Sequence, residues 1–203
     1  MVWAIEAAQS ATRLSRTIIT TDDEKIAAVA RGNGLEVPFM RPPELARDDT
    51  PGIEPVIHAL EWLAQNEDYR PDYVVLLQPT SPLRTSDDVD NAIRLAEDKG
   101  ADSVVSVTLA KQHPHWMKIV DRDGKISPFM ETESTALRRQ DLPSIYALNG
   151  AIYLARPMLL LESRTWYNDN TYSYEMPADR SIDIDSEWDR LVAEQILSSR
   201  VEV

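Results

Sequence analysis

No cysteine occurs among the 203 residues. That excludes a disulfide framework, a thiolate zinc site and a cysteine nucleophile, and it is compatible with a reducing compartment. Basic side chains are outnumbered, 21 Lys and Arg against 34 Asp and Glu, for a formal charge of −13. Binding a nucleic acid or an anionic membrane non-specifically needs a basic surface, so neither is expected as a partner. No run reaches the roughly 18 apolar residues of a membrane-spanning helix. Met1 to Ala11 lacks the basic start and small-residue cleavage site of a signal peptide. The expected location is the cytoplasm. Glycine is sparse, with 6 residues, and no Gly-rich loop of the Walker or dinucleotide type occurs. Kinases of the Walker type and dehydrogenases are thereby disfavoured.

Apolar residues at 43% and charged residues at 27% describe a folded globular chain. The length suits one domain over residues 1–203. Val2, Ile5, Ala8 and Ala11 recur at helical spacing. Thr17 to Thr20 and Leu35 to Val37 read as short strands around a helix capped by Asp22, Asp23 or Glu24. Pro42, Pro43 and Pro51 mark a long connection, and Val56, Ile57, Leu60 and Leu63 predict an amphipathic helix after it. The continuous apolar run Tyr73 to Leu77 predicts a strand covered on both faces of a parallel sheet. A helix from Ser86 to near Gly100 and a strand Ser103 to Val107 follow. Asp121-Arg122-Asp123-Gly124 is a hairpin signal, Ala151 to Leu154 a further strand, and Ser181 to Asp185 a strand of period two leading into a last helix. The alternation predicts an α/β domain with a mostly parallel sheet flanked by helices, and a less regular stretch over about residues 110–175 that includes an insertion packed on the sheet or on another subunit.

In open α/β sheets ligands sit beyond the carboxyl ends of strands. Gln78-Pro79-Thr80-Ser81-Pro82-Leu83-Arg84 follows the most apolar strand there. Its two stiffening prolines leave amide, hydroxyl and guanidinium groups to orient a polyhydroxylated or anionic ligand, or the segment is simply a rigid turn into a helix. Asp183 and Asp185, two residues apart on a strand, would project from one face. Paired carboxylates suit magnesium bridging to substrate phosphates; alternatively Asp185 and Ser186 cap the next helix. His113-Pro114-His115 lacks a third ligand for a metal site, and His58 sits among apolar residues of a helix.

The segments Leu77 to Arg84 and Ser181 to Glu187, supported by Thr20 to Asp23, Arg41 to Ala46 and Asn149 to Tyr153, resemble the acylneuraminate cytidylyltransferases, the CMP-sialic acid synthetases. The ketodeoxyoctonate cytidylyltransferases share that family's fold and resemble this chain less in the first segment. The resemblance implies a Rossmann-like nucleotidyltransferase fold. The implied reaction moves CMP from CTP to the anomeric hydroxyl of a nine-carbon 2-keto acid sugar, releasing pyrophosphate with magnesium help. Residue by residue, it implies that Asp183 and Asp185 hold magnesium, and that Gln78 lies near the attacking hydroxyl with Thr80 and Ser81 beside it. Arg139, assisted by Lys118, would meet the sugar carboxylate; Asn149 and Tyr153 would line the sugar pocket, and Arg41 would reach the cytosine. It further implies a homodimer in which the 110–175 segment reaches into the partner's site. The family opens with a strand and a loop rich in Arg, Ser, Gly and Lys around the CTP phosphates, whereas this chain starts at the helix that follows. Weak catalysis from the chain as written is therefore the expectation. A non-catalytic relative that binds sugar or dimerises, or a transferase for another sugar, is the alternative.

Overall fold

The computed structural model describes residues 1–130 and 138–201, the side chains of residues 139, 200 and 201 excepted. Helix α1 (Val2–Ser10) buries Ile5, Ala7 and Ala8. The two short strands expected next shrink to a single parallel bridge between Ile18 and Glu36. Between them lies α2 (Glu24–Gly32), begun by Asp23, whose carboxylate accepts from the Lys25 and Ile26 N–H groups. Helix α3 (Glu54–Glu67) buries Val56, Ile57, Leu60 and Leu63, the positions that periodicity singled out.

Strand β1 (Val74–Leu76) comes next. Helix α4 (Ser86–Lys99) starts in a capping box between Thr85 and Asp88, and it ends because Gly100 takes the left-handed conformation, φ 58°. Strand β2 (Ser103–Leu109) and a hairpin of β3 (Lys118–Val120) and β4 (Ile126–Pro128) follow. Then come β5 (Tyr146–Ala155), α5 (Pro157–Ser163), β6 (Thr171–Glu175) and α6 (Glu187–Val201).

The main sheet has the order β1-β5-β2-β6. Strands β1, β2 and β6 share one direction, and β5 runs against them. The Tyr73 to Leu77 strand is thus covered on both faces as expected, but its hydrogen-bonded neighbour β5 is antiparallel. An apolar run reports what covers a strand's faces and is silent about the direction of its neighbour. Val75 packs with α4 residues Val89, Ala92 and Ile93. Val74 and Leu76 point the other way, to Val56, Ile57 and Leu60 of α3 and Leu160 of α5.

One expectation is corrected. Ser181 to Asp185 is no strand but an irregular strap, fastened where the Ile184 N–H donates to the Thr80 carbonyl at 2.8 Å. Within residues 110–175, β5 and β6 belong to the main sheet, and among the described residues the β3–β4 hairpin stands apart from it. Among the described residues, no helix is long and apolar enough to cross a membrane.

Asp88, 1% exposed, is the electrostatic node between α4 and the strap. It accepts from Tyr174 Oη at 3.0 Å and from Arg180 Nη2 at 2.8 Å while serving the capping box. Burial opposes its charge, but Arg180 and the Thr85 N–H and hydroxyl outweigh it and hold the carboxyl below its ordinary value of 3.8. Because the unfolded carboxyl takes up its proton first, this contribution is whole above 3.8 and is lost as pH falls below it. Asp88→Asn should cost about 3 kcal/mol, since it leaves Arg180 without its carboxylate. Urea melts at pH 7 and pH 3 check this: the difference between wild type and variant should be smaller at the second.

Candidate active site

The site is built around an irregularity in β5. Val105 pairs with Tyr153 and Val107 with Leu148, so one residue of β2, Ser106, faces four of β5, Asn149 to Ile152. Such a bulge removes backbone groups from the ladder, and buried ones must find partners. Ser106 Oγ supplies several: it accepts from the Ile152 N–H at 2.7 Å and lies 2.6 Å from Asn149 Oδ1. Asn149 Oδ1 also accepts from the Ala151 N–H at 3.2 Å.

Gly150, at the crown of the bulge, has φ 70°. A Cβ there would stand 2.8 Å from Asp183 Oδ2, 2.9 Å from Gln78 Oε1 and 3.1 Å from Ser81 Oγ. Three functional groups from two segments, the loop after β1 and the strap, therefore converge on a point that only glycine leaves open. Ser81 Oγ lies 3.2 Å from both Asp183 Oδ1 and the Asn149 carbonyl, with one proton to share between them. The strap bearing Asp183 is held from below, where Asn149 Nδ2 donates to Ser181 Oγ at 2.9 Å.

The sequence-predicted residues divide accordingly. Gln78, Ser81 and Asp183 come together. Thr80 holds the strap through its carbonyl. Tyr153 stands at the edge: burial, then the fields of Tyr167 and Asp183, raise its phenol. Asn149 does not line an open pocket. It is 3% exposed, and its amide is taken by Ser106, Ser181 and Met176, so it supports the site from beneath. Arg84, expected to present its guanidinium to a ligand, is turned inward instead: it is 3% exposed and donates through Nε to the Ala151 carbonyl at 2.8 Å and through Nη2 to that of Gln78. Burial lowers it to about 10, although the fields of Asp183 and Asp88 act the other way.

A helix cap stands at the start of α6. Ser186 and Asp189 form that cap, Ser186 N and Oγ donating to Asp189 Oδ2 at 2.9 and 2.6 Å. Asp185 contributes its backbone N–H to Asp189 and leaves an exposed carboxylate. Arg41 pairs with Asp22 at 3.1 Å, with Nε buried and unpartnered. Lys118 is exposed on β3, which bonds to β4. Arg139 begins a short turn, Arg139–Asp141, and its side chain lies outside the described residues. His113 accepts from the His115 N–H at 3.3 Å through Nδ1, capping the turn Pro114–Trp116.

The groups above Gly150, Gln78 Oε1, Ser81 Oγ and the Asp183 carboxylate, present oxygens, the set a hard divalent cation prefers. Among the described residues no three His, Cys, Asp or Glu side chains form a metal-binding group. The residues present fit a magnesium ion that takes most of its ligands from substrate phosphates and water, as magnesium commonly does. The features that escaped sequence reasoning are Ser106 and the demand on Gly150. An Asn-Gly pair inside an apolar strand was their available signal.

Residues 1–184 match the family model described as Cytidylyltransferase. The chain belongs to the cytidylyltransferase family. A CMP-N,N'-diacetyllegionaminic acid synthase of Legionella pneumophila is 32% identical over 95% of this cytidylyltransferase and 82% of its own length. An N-acylneuraminate cytidylyltransferase of Escherichia coli is 30% identical over 93% of this chain, which spans only 43% of that longer protein. Among solved structures, a 4-diphosphocytidyl-2C-methyl-D-erythritol synthase matches with a TM-score of 0.67 at 14% identity, covering 96% of this chain and 88% of its own. A CMP:2-keto-3-deoxy-manno-octonic acid synthetase complexed with CTP matches with a TM-score of 0.66 at 14% identity, covering 97% and 87%. The two structures share the fold of this cytidylyltransferase.

Two glycine substitutions separate crowding from backbone strain. Gly100→Ala meets nothing within 4 Å and should cost only the left-handed strain, about 1–2 kcal/mol. Gly150→Ala adds a clash at 2.8 Å with Asp183 and should lose more in thermal melts, with activity reduced beyond the loss of folded protein.

Proposed function

We propose that this chain transfers CMP from CTP to the anomeric hydroxyl of a nine-carbon nonulosonic acid of the sialic or legionaminic type. The observation that carries this reading is the convergence of Gln78, Ser81 and Asp183 above Gly150 in a chain of the cytidylyltransferase family. The sugar oxygen forms a bond to the α-phosphorus, the bond from that phosphorus to the pyrophosphate oxygen breaks, and the hydroxyl proton leaves to solvent. Such a displacement depends chiefly on positioning and charge neutralisation.

Asp183 and Asp185 hold magnesium in this reading, and the ion, when bound, neutralises phosphate charge. Gln78 orients the sugar hydroxyl through its amide, with Ser81 and Thr80 fixing the wall. Arg139 and Lys118 meet the sugar carboxylate, Tyr153 borders the sugar, and Arg41 reaches the base. Asn149 acts through Ser181, keeping the strap and its carboxylate in place.

The partner is a second copy of the chain. Val120, Ile126 and Phe129, on and beside the hairpin, and Leu148 of β5 are each more than half exposed, and exposed apolar side chains of this kind favour association. Ile126→Asp with Phe129→Asp should shift the sedimentation mass from dimer to monomer. A wild-type monomer at micromolar concentration rejects this partner.

Incubation with CTP, magnesium and a panel of nonulosonic acids should release pyrophosphate with one class of sugar and not with CTP alone. Asp183→Asn should lower that rate by on the order of 10²-fold or more, the scale of losing one preorganised charged group. Release of no pyrophosphate by the wild-type chain with any of these sugars overturns the reading.

A further inference from the structure

Arg84 sits where the main sheet opens. Strands β1 and β5 pair as Val74 with Ala155, Val75 with Leu154 and Leu76 with Tyr153. Continued two residues further, that register sets Gln78 opposite Ala151. No ladder bond forms there. The guanidinium occupies the gap instead, with Nε on the Ala151 carbonyl at 2.8 Å and Nη2 on the Gln78 carbonyl. Its planar fork carries donors on separate nitrogens, so two diverging carbonyls are served at once by groups held at a fixed angle.

The placement is expensive for the fold. Arg84 is 3% exposed, and its third nitrogen, Nη1, is buried without a hydrogen-bond partner. An apolar side chain of similar length would fill the same space without desolvating a charge. A local cost of this kind, borne beside a cluster of convergent polar groups, is characteristic of functional sites. The two residues it grips are the one carrying the site amide and the one following Gly150, the glycine under that amide.

We propose that Arg84 is a positioning residue of the transfer reaction: its guanidinium wedges β1 from β5 and holds the Gln78 amide over Gly150 beside Asp183. The inference rests on the reading of Gln78 and Asp183 as the reacting site. It adds that the mouth of that site is held open by a buried cation that touches no substrate.

Arg84→Lys tests this, since a lysine keeps the charge but has one nitrogen for two carbonyls. Backbone amide exchange should quicken in residues 78–84 and 149–152 while α3 exchanges as in the wild type. In turnover, kcat should fall ~10–100-fold, the scale seen when a supporting partner of a reactive group is removed, with KM for CTP little changed. Arg84→Met, which removes both bonds and the charge, should move both readouts further; where that variant does not fold, the lysine variant alone decides. Unchanged exchange in the two segments, an equal rise in α3, or wild-type kcat in Arg84→Lys overturns the proposal. A wild-type chain without turnover would count against the proposed reaction, whereas the exchange pattern still tests the wedge.

Discussion

A strand cannot be both a regular ladder and a floor for convergent side chains, and β5 resolves that conflict by giving up its register. Four of its residues stand against one of β2. The surrendered backbone bonds are replaced by Ser106, by the Asn149 side chain and by Arg84. The space gained over Gly150 is filled by groups from the loop after β1 and from the strap before α6. Without the bulge, neither Gln78 nor Asp183 has a place to meet the other.

Charge is arranged to match. The chain carries a surplus of acid, −13 overall, yet its most buried carboxylate, Asp88, is matched by Arg180, and Asp183 lies in the field of the buried Arg84. Most of the remaining ion pairs, such as Arg13 with Glu97 and Arg190 with Glu187, lie at the exposed surface, where pairs contribute little. In the proposed reaction an acidic exterior is compatible with an anionic substrate, because a divalent ion would answer the exposed carboxylates.

Much of the fold was legible. Helices α2, α3 and α4 announced themselves through caps and periodicity, and the apolar runs marked β1 and β2. Gln78 and Ser81 stood out as polar groups in a stiff loop after an apolar strand, and Asp183 as one of two acids expected on a shared face. Strand β6, Thr171–Glu175, was missed: its side chains are mostly exposed at the sheet edge, so its pattern carries little hydrophobic signal. The strap was misread as a strand because Ile182 and Ile184 alternate with Asp183 and Asp185, although Ile184 bonds to the Thr80 loop rather than to a sheet.

What the sequence determined by itself was therefore local: which segments bury which faces, where helices begin and end, and which polar residues lie beyond the strands. Tertiary structure decided the antiparallel placement of β5, the inward turn of Arg84, the burial of Asn149 and the need for glycine at position 150. Each of these depends on groups far apart in the chain, Gln78, Ser106, Asn149 and Asp183 among them, meeting at distances near 3 Å. Hydrophobic periodicity reports burial along one element, and it contains no term for which backbone groups a neighbouring strand leaves unpaired.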